Sequence, residues 1–150
     1  MYVKAFKLAH SSPYQSSAFL IRSNNNYVLY LGDTGSDTIE HSTRLYQLWQ
    51  AIAPIINEKK LKGIFIETSF PDEQPDKLLF GHLTPRLLMN EMKVLNELCG
   101  RKNAVAGLPV VITHIKPVDG HVEKIKLQLQ KNNPLNLKLI FPEQGRKIIL

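Results

Sequence analysis

The sequence predicts an α/β fold in which a mixed sheet is flanked by helices. Three observations lead to this prediction: short strand-like runs come first, stretches with helical spacing follow, and these alternate with continuous apolar runs at 62–67 and 109–115. Continuous apolar strands between helices are typical of a sheet covered on at least one face. The 150 residues are enough for a hydrophobic core, and we expect one domain, 1–150.

The first third of the chain predicts three strands in a meander. They are expected at 3–9, 18–22 and 27–31. The polar stretch "SNNN" at 23–26 separates the second strand from the third and has the composition of a hairpin turn. These strands should therefore be antiparallel neighbours.

The period of the apolar residues then changes to that of a helix over residues 43–57. The apolar positions are Leu45, Leu48, Trp49, Ile52 and Ile56. Pro54 is expected to kink this helix or to end it early, because proline removes a backbone donor. A short buried strand is predicted at 62–67.

Two more helices and the closing strands complete the prediction. Thr84 is suited to cap a helix whose first residue is Pro85, and Gly100 can end that helix. After the strand at 109–115, Asp119 is expected to cap a helix that stops at Asn133-Pro134. The stretches "NLKLIF" at 136–141 and "KIIL" at 147–150 are predicted to be strands.

Composition limits the partners that we expect. The formal charge of +6 suits an anionic partner such as a phosphate ester. The lysines are spread along the chain without interleaved aromatic residues, which argues against long nucleic acids. No apolar run is long enough to cross a membrane. Cys99 is the one cysteine, so no internal disulfide can form, and we expect a cytoplasmic protein.

Four polar residues stand at the ends of predicted strands or at the start of a helix. His10 follows the first strand, Asp33 lies between glycines in "YLGDTG", His82 precedes the helix at Thr84, and His114 closes "PVVITH". Ligand sites in open α/β sheets lie beyond the carboxyl ends of strands. Two imidazoles and a carboxylate at such ends could converge on one metal ion.

Several stretches resemble the carboxyl-terminal half of the class II 3′,5′-cyclic-nucleotide phosphodiesterases, which have the metallo-β-lactamase fold. They are "SSAFLI", "YLGDTGSD", "LWQAIAP", "GIFIETSFPDEQPDKLLFGHLTP", "VVITHIKP" and "FPEQG", in the order of the family. The resemblance implies half of an αββα sandwich that hydrolyses a cyclic nucleotide, cAMP, to its 5′-monophosphate. It also implies a divalent metal cofactor, two Zn²⁺ ions in the complete enzyme.

The resemblance assigns a role to each of the four polar residues. His10 and His114 match metal-binding histidines, and Asp33 matches the carboxylate that bridges two metal ions. His82 matches a histidine that binds no metal and assists the leaving group in the related tRNA-processing nucleases. Asp33 and His82 are thus the implied catalytic residues. The glycines beside Asp33 are expected to let two cations approach, because no bulky neighbour blocks them.

The strongest motif of the family, His-x-His-x-Asp-His, is absent from this chain. Its five histidines stand at 10, 41, 82, 114 and 121, and no two are separated by a single residue. A catalytic zinc ion normally needs about three protein ligands and an open position. We therefore expect a fragment, a chain completed by a separate half, or a non-catalytic half-domain that acts by association. A mononuclear site of His10, Asp33 and His114 is a further alternative, as is an RNA-processing phosphodiesterase of the same fold. Whether cAMP or cGMP is preferred stays open.

Overall fold

The structure, a computed structural model, describes residues 1–150 and contains one six-stranded sheet. Its strands are β1 (Tyr2–Ala9), β2 (Gln15–Ser23), β3 (Asn26–Leu31), β4 (Leu61–Glu67), β5 (Pro109–Thr113) and β6 (Lys138–Ile140). Their order across the sheet is the order along the chain. β1, β2 and β3 pair antiparallel, whereas β3, β4, β5 and β6 pair in parallel. The predicted meander and the mixed sheet are confirmed.

Four helices connect the strands: α1 (Asp37–Glu40), α2 (Arg44–Asn57), α3 (Pro85–Leu98) and α4 (His121–Lys131). Thr84 caps α3 as predicted, since its Oγ1 accepts the Leu87 N–H at 3.4 Å. The helix predicted over 43–57 is confirmed as α2, and of the two effects expected of Pro54, a kink or an early end, the early end does not occur, because the helix continues to Asn57. Pro54 lies in the last turn, where few intrahelical hydrogen bonds depend on it.

Four other predictions of local structure are wrong. Gly120, with φ 76°, is the N-cap of α4 in place of Asp119, and no side chain caps this helix. The last strand, β6, has only three residues, and β5 ends at Thr113. Residues 147–150 form no strand. Instead, the Leu150 side chain packs over Gly63 of β4, so the tail contacts the face of the sheet rather than pairing with an edge.

The hydrophobic core lies between one face of the sheet and the three longer helices. One cluster joins alternate strand residues such as Leu29 and Ile64 with Trp49, Leu88 and Ile125 of the helices. The opposite face carries apolar side chains that stay exposed. They include Val3, Phe19 and Tyr30. None of the helices combines the length and the apolar character that crossing a bilayer requires.

Candidate metal and catalytic site

The direction of the strands explains why the polar residues at their ends meet. β1, β3, β4 and β5 all run the same way, and only β2 between them runs in the opposite direction. The carboxyl ends of four strands therefore share one edge of the sheet. His10 follows β1, Asp33 follows β3, Glu67 ends β4 and His114 follows β5. Consequently, residues distant in sequence are brought to one place.

The four residues singled out in the sequence form one cluster at this edge. Ligand atoms of His10, Asp33 and His82 all lie within 4.8 Å of one another. The His82 ring centroid is 4.9 Å from that of His10 and 5.2 Å from that of His114. His114 Nδ1 is hydrogen-bonded to Asp33 Oδ1. Imidazole nitrogens and a carboxylate are ligands of divalent metals, so this set could hold such an ion.

His10 is held by the backbone of Gly81. Its Nδ1 donates to the Gly81 carbonyl at 2.9 Å, because a carbonyl oxygen can only accept. The Nε2 lone pair of His10 therefore stays available. Gly81 has φ 79°, and a Cβ at this position would lie 2.4 Å from the Ser11 nitrogen and 2.7 Å from His10 Nδ1. Only glycine fits this close approach.

Glu67 is a buried carboxylate behind the cluster, 1% exposed, and both of its oxygens are occupied. Oε1 accepts from His82 Nδ1 at 2.7 Å and from the Thr34 N–H at 2.9 Å. Oε2 accepts from Ser69 Oγ at 2.6 Å and from the Leu83 N–H at 3.2 Å. Glu67 thus lies directly against His82. This contact fixes the ring and leaves His82 Nε2 free.

His114 shows the same pattern of ring nitrogens. Its Nε2 lies 3.0 Å from Lys116 Nζ, and since an ammonium group can only donate, Nε2 is the acceptor. Nδ1 is therefore protonated, and its N–H donates the hydrogen bond that Asp33 accepts. In His10, His82 and His114 alike, Nδ1–H is engaged by an oxygen and Nε2 carries the lone pair. Nitrogens in this state can bind a cation.

The loop that carries Asp33 is tied closely to the protein around it. Thr34 Oγ1 donates to the Ala9 carbonyl at 3.2 Å, which links the loop to the end of β1. A Cβ on Gly32 would lie 2.8 Å from Ser16 Oγ, and one on Gly35 would lie 2.5 Å from the side chain of Glu40. The glycines thus face packed protein atoms. The expectation that they leave open space for cations is wrong.

Asp37 and Glu91 anchor the far end of this loop. Asp37 accepts the Leu45 N–H at 3.1 Å and the Tyr46 N–H at 2.8 Å, so it caps the start of α2. Glu91 accepts the Asp37 N–H at 3.2 Å and Trp49 Nε1–H at 3.0 Å. Burial raises the pKa of the Glu91 carboxyl, the indole hydrogen bond opposes this shift, and the charge of Asp37 adds to it.

Sequence reasoning missed the contributions of Gly81, Ser69 and Glu91. Gly81 stands in "FGH" directly before a candidate histidine, and this position was an available signal. Glu91 had none, because its partners Asp37 and Trp49 are distant in the chain, whereas Ser69 stands only two residues after Glu67, the carboxylate to which it donates. Of the two histidines outside the cluster, His41 is exposed, whereas His121 is half-buried and its Nδ1 has no hydrogen-bond partner.

Residues 1–144 match the family profile described as cAMP phosphodiesterases class-II. The chain is 43% identical over 150 residues to a 3′,5′-cyclic-nucleotide phosphodiesterase of Aliivibrio fischeri, covering 97% of this chain and 45% of the relative. It is 42% identical over 145 residues to a probable 3′,5′-cyclic-nucleotide phosphodiesterase of Yersinia pestis, covering 93% of this chain and 42% of the relative. The chain thus spans less than half of the length of these relatives.

Solved structures share the fold. Unliganded yeast PDE1 superposes with a TM-score of 0.84 and 28% identity, over 95% of this chain and 44% of the yeast chain. The metallo-β-lactamase fold protein YhfI of Bacillus subtilis superposes with a TM-score of 0.61 and 16% identity, over 96% of this chain and 47% of YhfI. The metallo-β-lactamase fold predicted from the sequence is confirmed.

Proposed function

This chain belongs to the class-II cAMP phosphodiesterase family, and from that premise we propose that it forms one side of a metal-dependent site that hydrolyses 3′,5′-cyclic nucleotides. The proposed substrate is cAMP and the product its 5′-monophosphate. The observation that carries the proposal is the cluster at the strand ends, where ligand atoms of His10, Asp33 and His82 lie within 4.8 Å of one another and His114 joins them through its hydrogen bond to Asp33.

His10, Asp33 and His114 are the side chains proposed to hold the divalent metal, which would be two Zn²⁺ ions in the complete enzyme. Zinc binds imidazole nitrogen and carboxylate oxygen; the Nε2 lone pair of His10 is free, and that of His114 becomes available once the Lys116 ammonium that donates to it moves away. When bound, the metal supplies Lewis-acid activation of the attacking water and of the phosphoryl group. Thr34 and Gly81 hold the ligands in place through the contacts described above, so little rearrangement is needed.

His82 is the proposed general acid. The Glu67 carboxylate receives its Nδ1–H at 2.7 Å and so aims Nε2 into the cluster. A protonated ring in this orientation can give its Nε2 proton to the leaving 3′-oxygen as the P–O bond breaks. General acid catalysis of this kind typically contributes about 10²–10⁴-fold to the rate. Glu67 acts through His82 and is a positioning residue.

Further ligands are proposed to come from a second half that bears the His-x-His-x-Asp-His motif. Three ligand residues, one of them shared, are too few for two catalytic zinc ions, which need about three protein ligands each. The exposed face of the sheet, with Val3, Phe19 and Tyr30, supports association with such a half. The alternative is that two copies of this chain associate through the same face.

Zinc binding by the purified chain tests the division of roles. Calorimetric titration with Zn²⁺ should show a large loss of affinity in Asp33→Ala and little change in His82→Ala. His41→Asn is the matched control, because it removes an exposed imidazole and places a residue that tolerates the left-handed backbone, φ 49°. Equal loss in Asp33→Ala and His82→Ala would make His82 a ligand.

Hydrolysis of cAMP is then measured for the chain alone and mixed with a polypeptide that carries the motif. Turnover in the mixture that disappears in His82→Ala is the expected result. Zinc-loaded mixtures that form a complex and leave cAMP intact would refute the proposed function.

A further inference from the structure

We propose that a cavity beside His114 binds the purine base of the cyclic nucleotide, an inference that rests on the proposed function. The cavity has a volume of about 290 Å³, near the lower limit of small-molecule pockets. It lies between the carboxyl ends of β5 and β6 and the first turns of α4. The residues that matter for its chemistry are Thr113, His114, Ile115, Val122, Lys126 and Phe141.

The cavity adjoins the metal cluster through a shared residue. His114 lines the cavity and is also hydrogen-bonded to Asp33. In a 3′,5′-cyclic nucleotide the ribose alone separates the base from the phosphorus. A phosphate held at the cluster therefore requires a base site directly beside it, and this cavity lies there. Its position beyond the strand ends is where open α/β sheets bind ligands.

The walls of the cavity match a purine chemically. Ile115 and Val122 are apolar, and Phe141 is half-buried, which leaves part of its ring open for stacking. Lys126 Nζ lies over this ring, 5.6 Å from its centroid, so a base that stacks on the same face of Phe141 displaces the ammonium to its edge. Its ammonium can donate to N7 of a purine, an acceptor that adenine and guanine share. The stretch "FPEQG" thus acquires a role, since its phenylalanine forms the aromatic wall.

Phe80 is the competing platform for the base. It is 62% exposed, has φ 51° and stands two residues before His82. A bulky residue with positive φ is strained, and strain of this kind is found at functional sites. Phe80, however, offers a single aromatic surface. The cavity is instead bounded by β5, α4 and the segment after β6, so a base in it would have contacts on several sides. The geometry favours the cavity.

Adenosine and inorganic phosphate are the probes, each titrated into the zinc-loaded chain and followed by NMR. Adenosine should shift the signals of Val122 and Phe141, and phosphate those of His10 and His114. Val122→Trp fills the cavity and should weaken adenosine binding at least about tenfold. Leu127→Trp is the matched control on the same helix, at a position 65% exposed, and should leave binding unchanged.

Phe141→Ala should weaken adenosine binding by about 5- to 150-fold, as expected for loss of base stacking. Lys126→Met provides a further variant at a partly exposed position if Val122→Trp does not fold. Shifts centred on Phe80, equal binding by Val122→Trp and Leu127→Trp, or no saturable binding of adenosine would overturn the inference. If phosphate does not shift the signals of His10 and His114, this result counts against the proposed function, regardless of whether adenosine binds.

Discussion

Replacing Glu67 by Gln tests whether this carboxylate holds the site together. Each oxygen of Glu67 accepts two hydrogen bonds, and Gln keeps one acceptor oxygen and introduces an NH₂ donor. His82 Nδ1 and Ser69 Oγ can both adapt, since either atom can accept from the new NH₂ group. The backbone N–H groups of Thr34 and Leu83 cannot. In either orientation of the amide, one of these two buried N–H groups loses its partner.

The expected cost follows from that single unpaired donor. A buried N–H without an acceptor destabilises a protein by about 1–3 kcal/mol. For a chain of this length, a urea m-value of about 2 kcal/mol/M turns this into a fall of about 0.5–1.5 M in the unfolding midpoint. Gln also removes the buried negative charge of Glu67, which favours the folded state. We therefore expect a fall of the midpoint in the lower part of this range.

Urea unfolding followed by far-UV circular dichroism measures the midpoint. Glu73→Gln is the matched control, because Glu73 is an exposed carboxylate with partners on the surface. Its midpoint should stay close to that of the unaltered chain. Coinciding midpoints for Glu67→Gln and Glu73→Gln would refute the reasoning, because the buried hydrogen bonds would then contribute nothing measurable.

Three further outcomes are expected. The pKa of Glu91 is raised above its ordinary value of 4.5, so the unfolded chain loses this proton first as the pH rises; the free energy of unfolding should fall from about pH 4.5 up to the raised pKa. Glu91→Gln should flatten that part of the pH profile, and an unchanged slope would exclude Glu91 as its source. Gly81→Ala should destabilise the chain by at least about 1 kcal/mol more than Gly107→Ala, measured by urea unfolding, because both have positive φ but only Gly81 meets other atoms at the Cβ position. Equal losses would mean that the contact with His10 is easily relieved. Burial raises the pKa of the Cys99 thiol, so native protein should react with iodoacetamide far more slowly than protein in urea. Similar rates would show that the protein around Cys99 opens readily.

Sequence reasoning succeeded where local signals and chain direction agree. The strand ends predicted that His10, Asp33 and His114 lie at one edge of the sheet, and the structure places them there; their roles in the site stay predictions. Thr84 with Pro85 marked the start of α3, since a capping side chain and a proline without an N–H both suit that position.

The failures depend on contacts that no local pattern encodes. Residues 147–150 have strand-like composition, but a strand needs a partner edge, and the tail instead packs over Gly63. The close approach between Gly81 and His10 joins residues 71 positions apart. The glycines beside Asp33 illustrate the same limit, because their role depends on Ser16 and Glu40, which lie on other elements.

The order of the strands also determines when the cluster can exist during folding. Each strand pairs with its neighbour in sequence, but only the antiparallel pairs β1–β2 and β2–β3 are local, whereas the parallel pairs from β3 to β6 close long connections and form more slowly. His114 and Asp33, however, are 81 positions apart and meet only once β3, β4 and β5 are aligned. His114 is therefore the last of the four to join the cluster, and fraying of β5 would remove it while His10 and Asp33 stay at the ends of β1 and β3.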